Sequence, residues 1–235
     1  MVELEAPSWA PWRVALRIHA QAWVLLAQGE LEAALALHRD MHALMMKAPG
    51  EDRSLLENEI ELCRYLYLSA RYDECIAQAG LAVARAGGSA LENMPTLSRH
   101  LMLAQALSGR TADARQTLLQ GMPGWRRHGV FQASSGLAVM LAALGHWADA
   151  ARVSAASTAF MRRKRIVYAP SLQSANGHAQ ALLAAAACAP ADLQRWQSEG
   201  EALDEAAIEA ICLRAVEDWK LKPASFLPQD PAQCP

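Results

Sequence analysis

The chain has 235 residues, 53 % of them apolar and 20 % charged, which is enough apolar surface to bury a core and excludes a disordered or disulfide-stapled polypeptide. Twenty-two Lys and Arg against 24 Asp and Glu leave a net charge of −2, so the composition supplies no drive toward nucleic acid or an anionic membrane. Five cysteines, at 63, 75, 188, 212 and 234, form no CxxC pair, the opening MVELEAPSWAPWRV lacks the bases of a secretory signal, and no uncharged apolar run approaches about 18 residues; a soluble cytoplasmic chain is expected.

From Val14 the apolar residues Val14, Ile18, Ala22 and Leu25 recur at helical spacing, with Arg13, Arg17 and Gln21 on another face. This predicts an amphipathic helix beginning near Pro11, a residue suited to a first helical turn. The same pattern predicts helices near 51–68, 72–86, 94–107, 111–120, 131–143, 147–163 and 171–187, separated by short Gly, Pro or Ser breaks. β-Branched residues are sparse and alternating runs are missing, so the expected class is all-α. After Trp219 come Pro223, Pro228, Pro231 and Pro235, which predict an extended tail that docks, if at all, through Phe226 and Leu227.

One short signature returns four times where one predicted helix ends and the next begins: AQGELEAAL, SARYDECI, LSGRTADAR and ALGHWADAA. Each copy has a small turn residue (Gly29, Ala70, Gly109, Gly145), then a bulky residue or Thr two positions on (Leu31, Tyr72, Thr111, Trp147). Three further on stands Ala34, Cys75, Ala114 or Ala150, so the copies lie 41, 39 and 36 residues apart. Upstream small and large positions are filled by Ala22 and Leu25, Cys63 and Leu66, Ala138 and Leu141; the third copy departs, with Met102 and Gln105. These copies resemble the centre of tetratricopeptide repeats, which implies stacked antiparallel helix hairpins wound as a right-handed superhelix.

The last third narrows the resemblance. Arg195, Trp196, Glu199, Gly200, Leu203, Asp204, Glu205 and Ala206 are similar to the closing segment of large ATP-dependent bacterial transcriptional regulators, in which a winged helix and a signal-transduction ATPase precede a tetratricopeptide-like sensor region. Here Gly200 reads as a residue ending a short helix, and Asp204 as the cap of a last amphipathic helix carrying Ile208, Ile211 and Cys212, which would cover the open end of the array. The chain has no GxxxxGK[ST] loop, so the resemblance implies the sensor portion of such a regulator alone, or a protein that lost the rest. The expected organisation is a repeat array over 1–190, capping helices over 191–219 and a Pro-rich tail over 220–235.

No GxSxG, HExxH or GxGxxG occurs, so no catalytic residue, enzyme activity or cofactor is expected. His38 and His42 have the i, i+4 spacing of a metal pair, but His38 falls at a packing position and no third ligand is fixed; no metal is expected. Arg162, Arg163, Lys164 and Arg165, with Arg126 and Arg127, read as solvated helix ends whose cations oppose the helix dipole, and Met41, Met45 and Met46 as core filler. In a tetratricopeptide register the first helix of each hairpin lines the inner groove. That register places His19 and Trp23, then Arg64 and Tyr67, then Arg99, then Gln132 and Ser135 along it. Trp23, Arg64, Tyr67, Arg99, Gln132 and Ser135 are therefore the candidate binding residues, for a protein, a peptide or a small anionic ligand held by Arg64 and Arg99. The expected function is a non-enzymatic sensor or protein-interaction domain of, or beside, such a regulator, with no direct contact to nucleic acid or membrane. A free-standing scaffold that bridges proteins is the second reading, and a hydrolase or transferase the third.

Overall fold

The computed structural model describes residues 11–47, 52–87, 90–165 and 170–218. Among these residues are twelve α-helices, one 3-10 turn and no strand, as the periodicity predicts. No helix among them is long and apolar enough to cross a membrane. The expected Pro-rich tail, with Phe226 and Leu227, lies outside the described residues.

The helices fall into two compact units, divided between Gly88 and Ser89. In the first, α1 (Pro11–Ala27) pairs with α2 (Leu31–Met45), α3 (Asp52–Leu68) pairs with α4 (Tyr72–Ala86), and α2 packs on α3. The second holds α5 (Ala90–Asn93), α6 (Pro95–Leu107), α7 (Thr111–His128), α8 (Ser134–Ala143), α9 (Trp147–Lys164), α10 (Pro170–Ala185), α11 (Pro190–Gly200) and α12 (Glu205–Asp218). There α6 pairs with α7 and α8 with α9, while α6 and α10 both pack on α8 and α11 packs on α9. These sequential pairings are consistent with stacked helix pairs. α8 is buried along its whole length, which explains why SSGLAVMLAA has no polar stripe.

The four signature copies build one turn four times. Gly29, Ala70, Gly109 and Gly145 all take the left-handed conformation, with φ of 82°, 54°, 80° and 79°. The next residue's amide then reaches back to close the helix: Glu30 to Leu25 O, Arg71 to Leu66 O, Arg110 to Gln105 O and His146 to Leu141 O, at 2.8–2.9 Å. This bond satisfies a carbonyl that a helix end otherwise leaves open. The carbonyls of those same four residues accept the amides of Ala34, Cys75, Ala114 and Ala150 and so start the next helix, without any side-chain cap. Asp or Glu in each first turn complements the helix dipole instead. Ala34, Cys75, Ala114 and Ala150 are fully buried, because the two helices pass too closely there for a larger side chain. In the second hairpin Cys75 Sγ donates to Cys63 O at 3.3 Å, so the pair of small positions is also a polar link. The departure in the third copy has its own partner: Gln105 Oε1 accepts from Thr117 Oγ1 at 2.8 Å.

Three local expectations are corrected. α7 does not stop near residue 120; it runs through Pro123 to His128. Trp125 is buried and its Nε1 donates to Pro95 O at 3.1 Å, and a Cβ at Gly124 would lie 2.0 Å from Glu92 O. Tertiary packing of the last turns against α5 and the start of α6 thus overrides the local breakers. Gly200 is the last residue of α11, and its glycine is required by a close approach to α9 and not by a left-handed backbone. Asp204 does cap α12, accepting the Ala207 amide at 2.8 Å, and Ile208, Ile211 and Cys212 are buried. That helix, however, packs on α8 and the 3-10 turn Val130–Gln132, where Arg115 Nε of α7 donates to Val216 O at 2.9 Å.

Candidate functional site

In the first unit α1, α2 and α3 enclose an open cavity of about 540 Å³. Its apolar wall is Ala15 and Leu16 from α1 with Met41 and Met45 from α2, and the two methionines, read from sequence as core filler, are buried in that wall. Its polar groups are His19 from α1 and Glu57, Asn58 and Glu61 from α3. Glu57 and Glu61 stand one helical turn apart, and Asn58 lies three residues before Glu61, so all three share one side of α3.

Asn58 is 5 % exposed. Its Oδ1 faces His42 Nδ1 at 3.1 Å, and since a carbonyl oxygen only accepts, His42 Nδ1–H is the donor. Asn58 Nδ2, with two N–H groups, is buried without a protein partner. A buried donor in this state costs stability until something accepts from it.

Beside the cavity lies an aromatic row. Trp23 Nε1–H donates to His19 Nε2 at 2.9 Å. His19 meets His38 edge to face at 5.4 Å, and His38 lies against Tyr65 at 4.2 Å. His38 is fully buried with both ring nitrogens unpartnered. Burial, with His19 and Arg64 adding to it, pushes its pKa down to about 3, so the ring is neutral. Burial likewise pushes the Tyr65 phenol up to about 12.

The six candidate residues have these places. Trp23 and Arg64 come together: the Arg64 guanidinium lies 5.3 Å from the Trp23 ring centre and pairs with Glu61 at 2.9 Å, so it links the aromatic row to the cavity. Tyr67 is fully buried, with its ring 6.4 Å from Tyr72. In the second unit Arg99 is 8 % exposed and its Nη1 donates to Gln132 O at 2.8 Å. The Gln132 side chain is exposed and Ser135 is buried. The basic helix ends have acidic neighbours: Arg126 pairs with Glu209, Arg127 with Glu92 at 2.6 Å and Arg162 with Glu201 at 3.3 Å. No group of three or more His, Cys, Asp or Glu among the described residues is placed to hold a metal.

The sequence reading placed His19 on the inner surface but missed Glu57, Asn58 and Glu61. The available signal was their spacing to Arg64, since 57, 61 and 64 fall on one helical stripe. Comparison with family models, with curated proteins and with solved structures returns no match.

Proposed function

We propose that the chain is a non-enzymatic helical-repeat sensor domain that binds a ligand or partner, within or beside an ATP-dependent transcriptional regulator, its hairpins wound as a right-handed superhelix. The observation that carries the binding reading is the cavity between α1, α2 and α3, where the buried Asn58 amide has no protein acceptor and an apolar wall faces polar groups. A mostly apolar concavity with a few placed polar groups is what small ligands and side-chain anchors use. The regulator reading is supported by the closing segment, whose Gly200 and Asp204 both have structural roles here. A thermal-shift screen of metabolites and short peptides against the full chain tests it. A compound that raises the melting temperature of the wild type but not of Asn58→Leu is expected; a screen without such a compound overturns the reading.

A free-standing scaffold is favoured by a different observation. α1 turns Leu16, 58 % exposed, and Val24, 56 % exposed, to solvent, as a helix that meets another protein would.

A further inference from the structure

The second hairpin differs from its equivalents where its two helices cross. The equivalent places hold Ala22 and Ala34 in α1–α2, Ala138 and Ala150 in α8–α9, and Met102 and Ala114 in α6–α7. In α3–α4 both are cysteines, Cys63 and Cys75, twelve residues apart in the chain and fully buried. Alanine fills the same places elsewhere, so close packing alone does not call for sulfur here. Each thiol reaches across to the other residue: Cys75 Sγ donates to Cys63 O at 3.3 Å, and Cys63 Sγ to Cys75 O at 3.9 Å. A hydrogen bond with the Cys75 thiol, together with burial, pushes the Cys63 thiol up. Two thiols in contact between helices joined by a short turn are placed as a disulfide requires, because only a small adjustment brings the sulfurs to bonding distance.

We propose that Cys63 and Cys75 are a redox-modification site, at which a hydroperoxide forms a disulfide that latches α3 to α4. One cysteine loses its proton and its thiolate attacks the peroxide. An S–O bond forms as the O–O bond breaks, giving a sulfenic acid and, with hydrogen peroxide, one water that carries off that proton. The second thiolate attacks the oxidised sulfur; the S–S bond forms, the S–O bond breaks, and hydroxide leaves with the second proton as another water. Two electrons thus pass from the sulfurs to the peroxide. In the closed hairpin both sulfurs are shut from solvent and Cys63 is held as the thiol, so the first step waits for a local opening. Closure then brings the second thiol onto the sulfenic acid, and the bond holds α3 and α4 together until a thiol reductant cleaves it. The latch does not depend on what the first unit binds.

The test is peroxide treatment of the full chain, in buffer and in sub-denaturing urea, followed by alkylation, tryptic digestion and mass spectrometry. Cleavage after Arg64 and Arg71 separates the two cysteines, so the bridge appears as peptide 54–64 linked to peptide 72–85, lighter than the two together by two hydrogens. That linked pair is expected to be the main product at both cysteines, and to form sooner in urea, which favours the open hairpin. The oxidised chain should melt about 5 °C or more above the reduced one, and dithiothreitol should abolish the rise. Cys63→Ala combined with Cys75→Ala, which installs the residues that α1–α2 and α8–α9 already carry, should fold and show no such rise. Sulfinic acid at either position without the linked pair, bridges mainly to Cys188 or Cys212, or no linked pair under either condition overturns the proposal. So does a linked pair that lowers the melting temperature, or an equal rise in the double variant.

Discussion

A Cβ atom on Gly200 would lie 2.2 Å from the carbonyl oxygen of Arg152 and 2.7 Å from its Cα, so α11 rests on α9 backbone against backbone. Backbone cannot swing aside as a side chain can. Gly200→Ala is therefore expected to cost about 2 to 3 kcal/mol, the upper part of the usual range of about 1 to 3 for a forced overpacking. Gly177, in the middle of α10, has nothing within 4 Å of the same added atom. Gly177→Ala should stabilise by about 0.5 to 1 kcal/mol through helix propensity alone. Denaturant unfolding of the two variants checks the pair, and a neutral Gly200→Ala would show that α11 is not seated as described.

The repeated turn makes a second comparison. Gly145 has open space around its missing Cβ, so only its φ of 79° constrains it, and Gly145→Ala should cost about 1 kcal/mol. Ala70 holds the equivalent place in the second hairpin with a Cβ at φ 54°. Ala70→Gly should relieve that strain, less the added freedom of the unfolded chain, for a net gain of about 0.5 kcal/mol. Opposite signs at equivalent positions, read as shifts in melting temperature, are the expected result.

These turns were legible in the sequence because a left-handed residue and a closely packed Ala or Cys leave a mark at fixed spacing, as at Gly29 and Ala34. The length of α7 was not, because GMPG reads locally as a break, and only the burial of Trp125 and the seat of Gly124 on Glu92 O make it helix. The site divides in the same way. His19 followed from register, and Trp23 and Arg64 do meet; but Asn58 looked like any polar residue, since what distinguishes it is a missing acceptor, a property of packing and not of residue type. Glu57 and Glu61 were missed because nothing in one helix tells which of its faces borders a cavity.

His38 gives a pH dependence whose sign is fixed. Its folded pKa of about 3 lies below the ordinary 6.5, so as pH falls below 6.5 the unfolded chain takes up a proton that the folded chain refuses. Stability should fall by about 1.4 kcal/mol per pH unit between 6.5 and 3 from this residue alone. His38→Phe keeps an aromatic ring against Tyr65 and removes the titration. Between pH 7 and pH 5 the variant should lose about 2 kcal/mol less than the wild type in unfolding free energy. Parallel losses in the two proteins would show that the His38 ring is reached by water.

Arg99 and Gln132 separate a side chain's structural work from its exposure. The Arg99 guanidinium reaches a carbonyl, Gln132 O, at the end of the 3-10 turn that leads into α8, and its own Cγ lies 3.2 Å from where a Cβ on Gly136 would be. Truncating it removes a charged donor from a half-buried hydrogen bond and opens space beside α8. Arg99→Ala is expected to cost about 1 to 3 kcal/mol, from the lost charge-assisted hydrogen bond and the space left by a buried side chain. Gln132→Ala leaves that acceptor in place, because the carbonyl belongs to the backbone, and its own side chain is exposed. Its stability should stay within about 0.5 kcal/mol of the wild type. For a chain of this length the Arg99 loss corresponds to a drop of roughly 2 to 4 °C in melting temperature per kcal/mol. If Arg99→Ala melts with the wild type while weakening an anionic ligand, the guanidinium serves the groove that the repeat register assigns it to; if it melts early and Gln132→Ala does not, its first task is to hold the entry to α8.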